Sequence, residues 1–218
     1  GMPFLLVMKN GDMGSAIVWL PVAFVTMLVG GIPFRYLFLM ALITIGIVPL
    51  LYFIALPSVS ERGYARINNY LENLQRGHIT NTDRNYAEYR VTMAVGKAGW
   101  RGAGYGSTSK DSLHHRKDIP WKTAHNDYIF AVIAEEQGFR GSLLLITGFA
   151  LLLILCLFIA YYSRDFSGQI IAGGVVALMF AHIFENIGMC VSIMPITGIP
   201  LPLISYSGTF VVICMFLL

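Results

Sequence analysis

The hydrophobic pattern divides the chain into two apolar flanks around a polar middle. Four long apolar runs stand out, at roughly 14–31 (GSAIVWLPVAFVTMLVGG), 36–57 (YLFLMALITIGIVPLLYFIALP), 141–162 and 170–194. A fifth begins near 204 and is still apolar at Leu218. Crossing hydrocarbon takes about 20 residues, so the first four predict membrane-spanning helices and the fifth a span cut short. The stub GMPFLLVMKN is too short to span, and the chain reads as a piece of a larger protein. Pro21 and Pro49 fall inside spans, where neighbouring helices can satisfy the freed carbonyls. The pattern predicts an all-α polytopic membrane protein in three parts: first transmembrane helices over 1–57, a large polar loop over 58–140, and C-terminal transmembrane helices over 141–218.

Two stretches refine this layout. In SERGYARINNYLENLQRG (60–77), apolar or aromatic residues at 64, 67, 70, 71 and 74 predict an amphipathic helix lying at the interface. In MPITGIPLPLISYSGT (194–209), three prolines and two glycines exclude a continuous helix. Broken backbone at membrane depth is tolerated where protein or a watery cavity satisfies it. The segment is therefore expected to be a re-entrant turn lining a cavity, with Ser205, Tyr206 and Ser207 presenting hydroxyls there.

Composition agrees with the pattern. The chain of 218 residues is 56% hydrophobic and 12% charged, against about 25% charged in soluble domains. Of its 15 Lys and Arg, 12 lie between 58 and 140, as do nine of its 12 Asp and Glu. That charge does not orient the chain, because the positive-inside rule weakens for loops beyond about 60 residues. Cys156, Cys190 and Cys214 sit in apolar runs without motif spacing and read as packing residues.

Candidate chemistry concentrates in the loop and the fourth span. GKAGWRGAGYGSTSK (96–110) combines five glycines with Lys97, Arg101 and Lys110. Such a run can turn backbone amides toward an anion, although it fits neither a P-loop nor a dinucleotide fingerprint; a solvated loop is the bland alternative. Trp100 and Tyr105 suit the headgroup level. His114, His115 and His125 have no Cys partner and no HExxH spacing, so they are weak evidence for a metal site. AHNDYIFAVIAEE (124–136) carries three carboxylates. Asn126 or Asp127 is placed to cap the helix that follows. Glu135 would lie about 12 Å beyond Asp127 on a continuous helix, whereas hydrolase carboxyl pairs sit roughly 5–9.5 Å apart. A paired-carboxylate hydrolase is thus disfavoured, and Glu135 and Glu136, on different sides of the helix, are expected to orient the loop, with Arg or Lys of the insert as partners. In the fourth span His182, Glu185 and Asn186 make one polar face, either a functional site or a hydrogen-bonded lock between helices.

Two of these stretches together resemble one family. AHNDYIFAVIAEEQGFRG is similar to H-T-D-F-I-F-A-V-x-x-E-E-L-G-x-x-G, and MPITGIPLPLISYSG to L-P-V-T-G-x-P-L-P-F-I-S-Y-G-G, both of the SEDS family (shape, elongation, division and sporulation). NGDMGSAIV, GYARINNYL and MAVGKAGWRGAGYG resemble further family segments in the family's order, with the nearest likeness to the RodA branch. The departures are Arg90 for a Gln, Gln137 for Leu, Asn126 for Thr, Ser207 for Gly and a longer IPWKTAH.

The resemblance implies about five of some ten spans in a bacterial inner-membrane protein with its large loop outside. It implies a peptidoglycan glycosyltransferase, a hexosyltransferase polymerising lipid II onto an undecaprenyl-pyrophosphate-linked glycan in cell-wall synthesis. A class B penicillin-binding protein would be the partner, membrane lipids the surroundings, and no nucleic acid is involved. By position, Asp127 matches the family's essential loop aspartate, the base for the acceptor hydroxyl. Arg66, Lys97, Arg101 and His125 become candidate substrate-binding residues beside Ser205, Tyr206 and Ser207, and a divalent cation, Mg or Mn, could assist. The rivals are a lipid-linked precursor transporter (flippase), suited to a broken helix and a polar span, and a non-catalytic scaffold for the transpeptidase.

Overall fold

The computed structural model describes residues 13–50, 61–77, 79, 86–106, 113 and 121–218. The N-terminal stub, the 51–57 end of the second predicted span, the side chain of Pro49, Lys110, His114 and His115 lie outside the described residues. The described residues form eight helices and no strand. They are α1 Met13–Val29, α2 Phe34–Leu50, α3 Glu61–Arg76, α4 Tyr86–Lys97, α5 Trp121–Asn126, α6 Ile129–Tyr162, α7 Phe166–Cys190 and α8 Gly208–Leu217.

Two of them, α6 and α7, are long and apolar enough to cross a membrane. The third predicted span is longer than its apolar run suggests. Its helix begins at Ile129 and passes through Gly138, whose φ of 69° and ψ of −165° kink it there. The amphipathic pattern of 60–77 is a helix, α3, stopped at Gly77 with φ +70°. The predicted fifth span starts four residues later than expected, at Gly208, because the prolines hold 191–207 out of regular structure.

The chain forms two compact units. The first combines residues 1–68 with 153–181. Here α1 turns into α2 through Gly30 and Gly31, where Gly31 takes φ +80° and Pro33 precedes the new helix. On α7, Gly173 and Gly174 let α1 come close: a Cβ on Gly173 would stand 3.1 Å from Val29, and one on Gly174 3.2 Å from Thr26. Small residues at such crossings are how membrane helices approach without a hydrophobic drive between them.

The second unit combines residues 69–152 with 182–218. Its core gathers Val91 of α4, Leu113, Ala124 of α5, Tyr128, Phe130, Ala131 and Val132 at the head of α6, and Met189 and Cys190 at the end of α7. Ala124 before Asp127 and Tyr128 and Phe130 after it are buried, so the apolar residues around Asp127 anchor that segment in the core.

Candidate functional site

The site is built where α5 passes into α6. Thr123 accepts both the Asp127 amide (2.9 Å) and the Tyr128 amide (3.3 Å), which closes α5 and leaves Asp127 on a two-residue link. Asn126 does not cap the next helix as its position suggested. Its Nδ2 instead donates to Asp127 Oδ1 at 3.0 Å, and its Oδ1 is buried without a hydrogen-bond partner.

Three residues, Asn186, Ser205 and Tyr206, tie this segment to the proline-rich turn. Asn186, fully buried on α7, donates from Nδ2 to the carbonyls of Asp127 (2.8 Å) and Ile199 (2.7 Å). Ser205 donates to the Asn126 carbonyl (2.6 Å) while its oxygen accepts the Leu201 amide (2.6 Å). The Tyr206 amide donates to the His125 carbonyl (3.0 Å). Consecutive carbonyls of His125, Asn126 and Asp127 are thus all held by the turn or by α7. Opposite Asp127 the turn has Gly198 at φ +79°, and a Cβ there would be 3.7 Å from Asp127 Oδ2. The turn therefore lays bare backbone against the carboxylate. Leu203 also sits at positive φ, 65°, a conformation that non-glycine residues hold only when surrounding bonds enforce it.

The glycine-rich loop is spent on a different task from the expected anion cradle. Ala103 donates to the Glu135 carbonyl (2.8 Å), Gly104 to the Glu136 carbonyl (2.9 Å) and Gly106 to Glu136 Oε1 (3.2 Å), while Phe139 returns a bond to Gly99 (2.9 Å). Gly102 itself donates to Ala98 (3.0 Å). A Cβ on Gly102 would run into the Glu136 carbonyl and the Gly138 amide, and one on Gly138 into the Gly102 amide. The two glycines let the loop lie directly on the α6 kink, so these amides face protein rather than a ligand. The Glu135 carboxylate takes the Leu113 amide (3.0 and 3.3 Å). Among the described contacts, both glutamates are held by backbone amides of the loop.

Comparison with known proteins places this geometry. The family model of the FtsW, RodA and SpoVE cell cycle proteins matches residues 1–218. The chain belongs to the SEDS family. It is 30% identical to the peptidoglycan glycosyltransferase MrdB of Escherichia coli strain K12 over 98% of this chain and 55% of that protein. It is 32% identical to the probable peptidoglycan glycosyltransferase FtsW of Neisseria gonorrhoeae over 98% of this chain and 44% of that one. The chain therefore spans about half the length of the curated relatives it matches. A solved structure described as "Structural coordination of polymerization and crosslinking by a peptidoglycan synthase complex" contains a chain of the same fold, with TM-score 0.70 and 24% identity over 97% of this chain and 55% of that one. Family and apolar helices together make this a membrane protein.

In this SEDS chain the expected site residues separate. Asp127, His125, Ser205, Tyr206 and Asn186 come together in the second unit through the bonds above. Ser205 is 3% exposed and both hydrogen-bonding capacities of its hydroxyl point inward, so it is a bracket rather than a group offered to a cavity. Tyr206 is exposed, and Ser207 starts α8 by accepting the Val211 amide (2.9 Å). Lys97 faces a cleft with Arg90, Arg101 stands exposed on the glycine loop, and Arg66 is exposed on the part of α3 that belongs to the first unit. His182 lies 4.8 Å, ring to ring, from Phe210, and Glu185 is 2% exposed. Arg90, a departure from the family pattern, shares the cleft with Lys97, seven residues along the same helix.

Proposed function

We propose that the protein carrying this chain is a peptidoglycan glycosyltransferase that polymerises lipid II, with Asp127 as its base. The observation that carries this reading is the fixing of Asp127 against the proline-rich turn by Asn186, Ser205 and Tyr206. A base that must meet one hydroxyl needs a held position within hydrogen-bond reach. In the proposed step Asp127 takes the proton of the acceptor sugar hydroxyl, whose oxygen bonds to the anomeric carbon of the donor. The bond from that carbon to undecaprenyl pyrophosphate breaks, and the pair leaves with the phosphate. Attack opposite the leaving group inverts the centre and needs one carboxylate. Gly198 gives the incoming sugar an approach without a side chain in the way.

Among the described residues no three His, Cys, Asp or Glu side chains converge on a metal centre. The oxygen donor at Asp127 is its own carboxylate, the chemistry that Mg or Mn takes, since Asn126 turns Nδ2 toward it. One carboxylate is too few for a protein-only cage and fits an ion that also draws ligands from substrate phosphates. Such an ion would neutralise charge on the leaving pyrophosphate. The same reading assigns the chain about five spans of a ten-span fold in the bacterial inner membrane, the 58–140 loop outside, and a class B penicillin-binding protein as partner.

The test is glycan polymerisation from lipid II by the full-length protein with its transpeptidase. Asp127→Asn keeps the shape and removes the base, so turnover should fall by about a hundred-fold or more. An Asp127→Asn protein that polymerises at the normal rate sinks the assignment. Lipid II movement across vesicles without polymerisation would favour the transporter reading instead.

A further inference from the structure

The side chain of Asn126, the last residue of α5, is satisfied at one end only. Its Nδ2 donates to Asp127 Oδ1 at 3.0 Å, while its own Oδ1 is buried without a hydrogen-bond partner. A buried orphan acceptor costs stability, and an apolar residue of similar size would avoid the cost. A structural role does not account for it. Asn186 ties together carbonyls 59 and 13 residues away, whereas the Asn126 amide reaches only the next residue and, among the described contacts, joins no second element. The bracket at this position runs through the Asn126 backbone carbonyl, which accepts the Ser205 hydroxyl whatever the side chain. A substrate contact through Oδ1 is excluded as well, because that atom is closed off from solvent.

What the amide serves is the carboxylate. An N–H given to a carboxylate is a charge-assisted bond: it favours the ionised form and fixes the plane of the group. No donor holds Asn126 Oδ1, so the charge on Asp127 decides which way the amide faces. The reversed amide would set oxygen against oxygen. The oxygen engaged is also the one turned away from the bare turn, since Oδ2 is the Asp127 atom within 4 Å of a Cβ built on Gly198. Other contacts of Asp127 set where its basicity starts, and the Asn126 donor lowers it from there. Resting on the polymerase reading above, we propose that Asn126 is a positioning residue for the base. Its amide holds Oδ1 and keeps Asp127 ionised at the pH of the reaction, with Oδ2 toward the incoming sugar. The family pattern has Thr at this position, and a Thr hydroxyl can donate the same single bond.

The experiment measures kcat and KM for lipid II polymerisation by the full-length protein with its transpeptidase, from the acid limb to the plateau of the pH profile. Asn126→Ala removes the donor and the orphan together. Its acid limb should move up by about one pH unit, the ten-fold effect of one bond to a charged group. KM should stay at the wild-type value, because the side chain does not reach substrate, and raising the pH should recover most of the lost rate. Asn126→Leu, nearer Asn in size, should behave as Asn126→Ala does, and both should melt at or above the wild-type midpoint. Asn126→Thr should restore the wild-type limb. An acid limb that stays in place in the Ala and Leu variants overturns the proposal, even where their rates fall, since a scaffold residue lowers the rate alike at every pH. So does an Asn126→Thr protein shifted as far as Asn126→Ala. A midpoint well below wild type in both apolar variants, with a rate that higher pH does not recover, overturns it too and assigns Asn126 to the scaffold. Asp127→Asn, run beside them, separates the two readings: full activity there sinks the polymerase base itself, whatever the Asn126 variants do.

Discussion

Glu88 is a carboxyl group 7% exposed, beside a cavity of about 190 Å³ lined by Tyr70, Asn73, Gly77 and Ser192 among others. Its hydrogen-bond partner is Asn73 Nδ2 at 3.5 Å, the far limit for such a bond. Burial without firm compensation raises its pKa above the ordinary 4.5. The unfolded chain releases that proton near the ordinary value and the folded chain holds it higher. Between the two the folded state binds more protons, so stability is greatest on the acid side and declines as pH rises through the raised value. Glu88→Gln keeps a neutral amide in the same space. Its thermal midpoint in detergent should exceed that of the wild type at neutral pH, and the two should converge toward about pH 4. A variant with a midpoint below wild type at neutral pH would show that the charged form is the stabilising one. No spacing in the sequence marked Glu88 as buried, because its covering comes from α3 and from Ser192, a hundred residues along. Asn186 teaches the same at the site. Its polar face with His182 and Glu185 was visible, but its bonds to carbonyls 59 and 13 residues away depend on how the turn folds back.

The helices were legible wherever a periodicity or an apolar run defined them: α3 and α7 follow their patterns closely, while α6 starts twelve residues before its apolar run. Glycine was legible as a break and misread as to purpose. The run from Gly96 to Gly106 suggested amides aimed at an anion, yet its closest approach is to Gly138, in a segment whose apolar pattern advertised only a helix. Interlocking of two backbones leaves no local mark beyond the two glycines themselves. The element-scale consequence is a contrast between neighbours. Gly102→Ala meets backbone atoms of Glu136 and Gly138, which have no side-chain freedom to give, and it also strains φ +72°. Gly104→Ala strains φ +91° but meets nothing within 4 Å. The first should cost about 3 kcal/mol or more and the second about 1–2 kcal/mol. Urea or thermal unfolding of the two variants separates them. Equal losses would mean the loop lifts off the kink at little cost.

At the scale of the whole molecule, hydropathy marked the long apolar helices but charge could not orient them. Most of the basic residues lie in one insert longer than the orienting rule covers, so the outward placement of 58–140 proposed above draws on family likeness and not on charge. What the structure adds is a division of labour within α6. Before Gly138 the helix is buried, with Phe130, Ala131, Val132 and Ala134 in the core; beyond it, Leu144, Leu151, Leu155 and Ile159 are exposed. The kink therefore separates a segment that carries the site from a segment made for hydrocarbon. If that division is physical, position along 139–162 must set the cost of a charge. Leu151 is near the middle of that segment and Tyr161 at its end, both largely exposed. Leu151→Arg should disfavour membrane insertion of the segment by about 3 kcal/mol. Tyr161→Arg should cost little, because its long side chain can reach the interface. An insertion assay with the segment in a host protein reads both directly. If arginine is tolerated equally at 151 and 161, the part of α6 after Gly138 does not sit across the bilayer as its apolar surface requires.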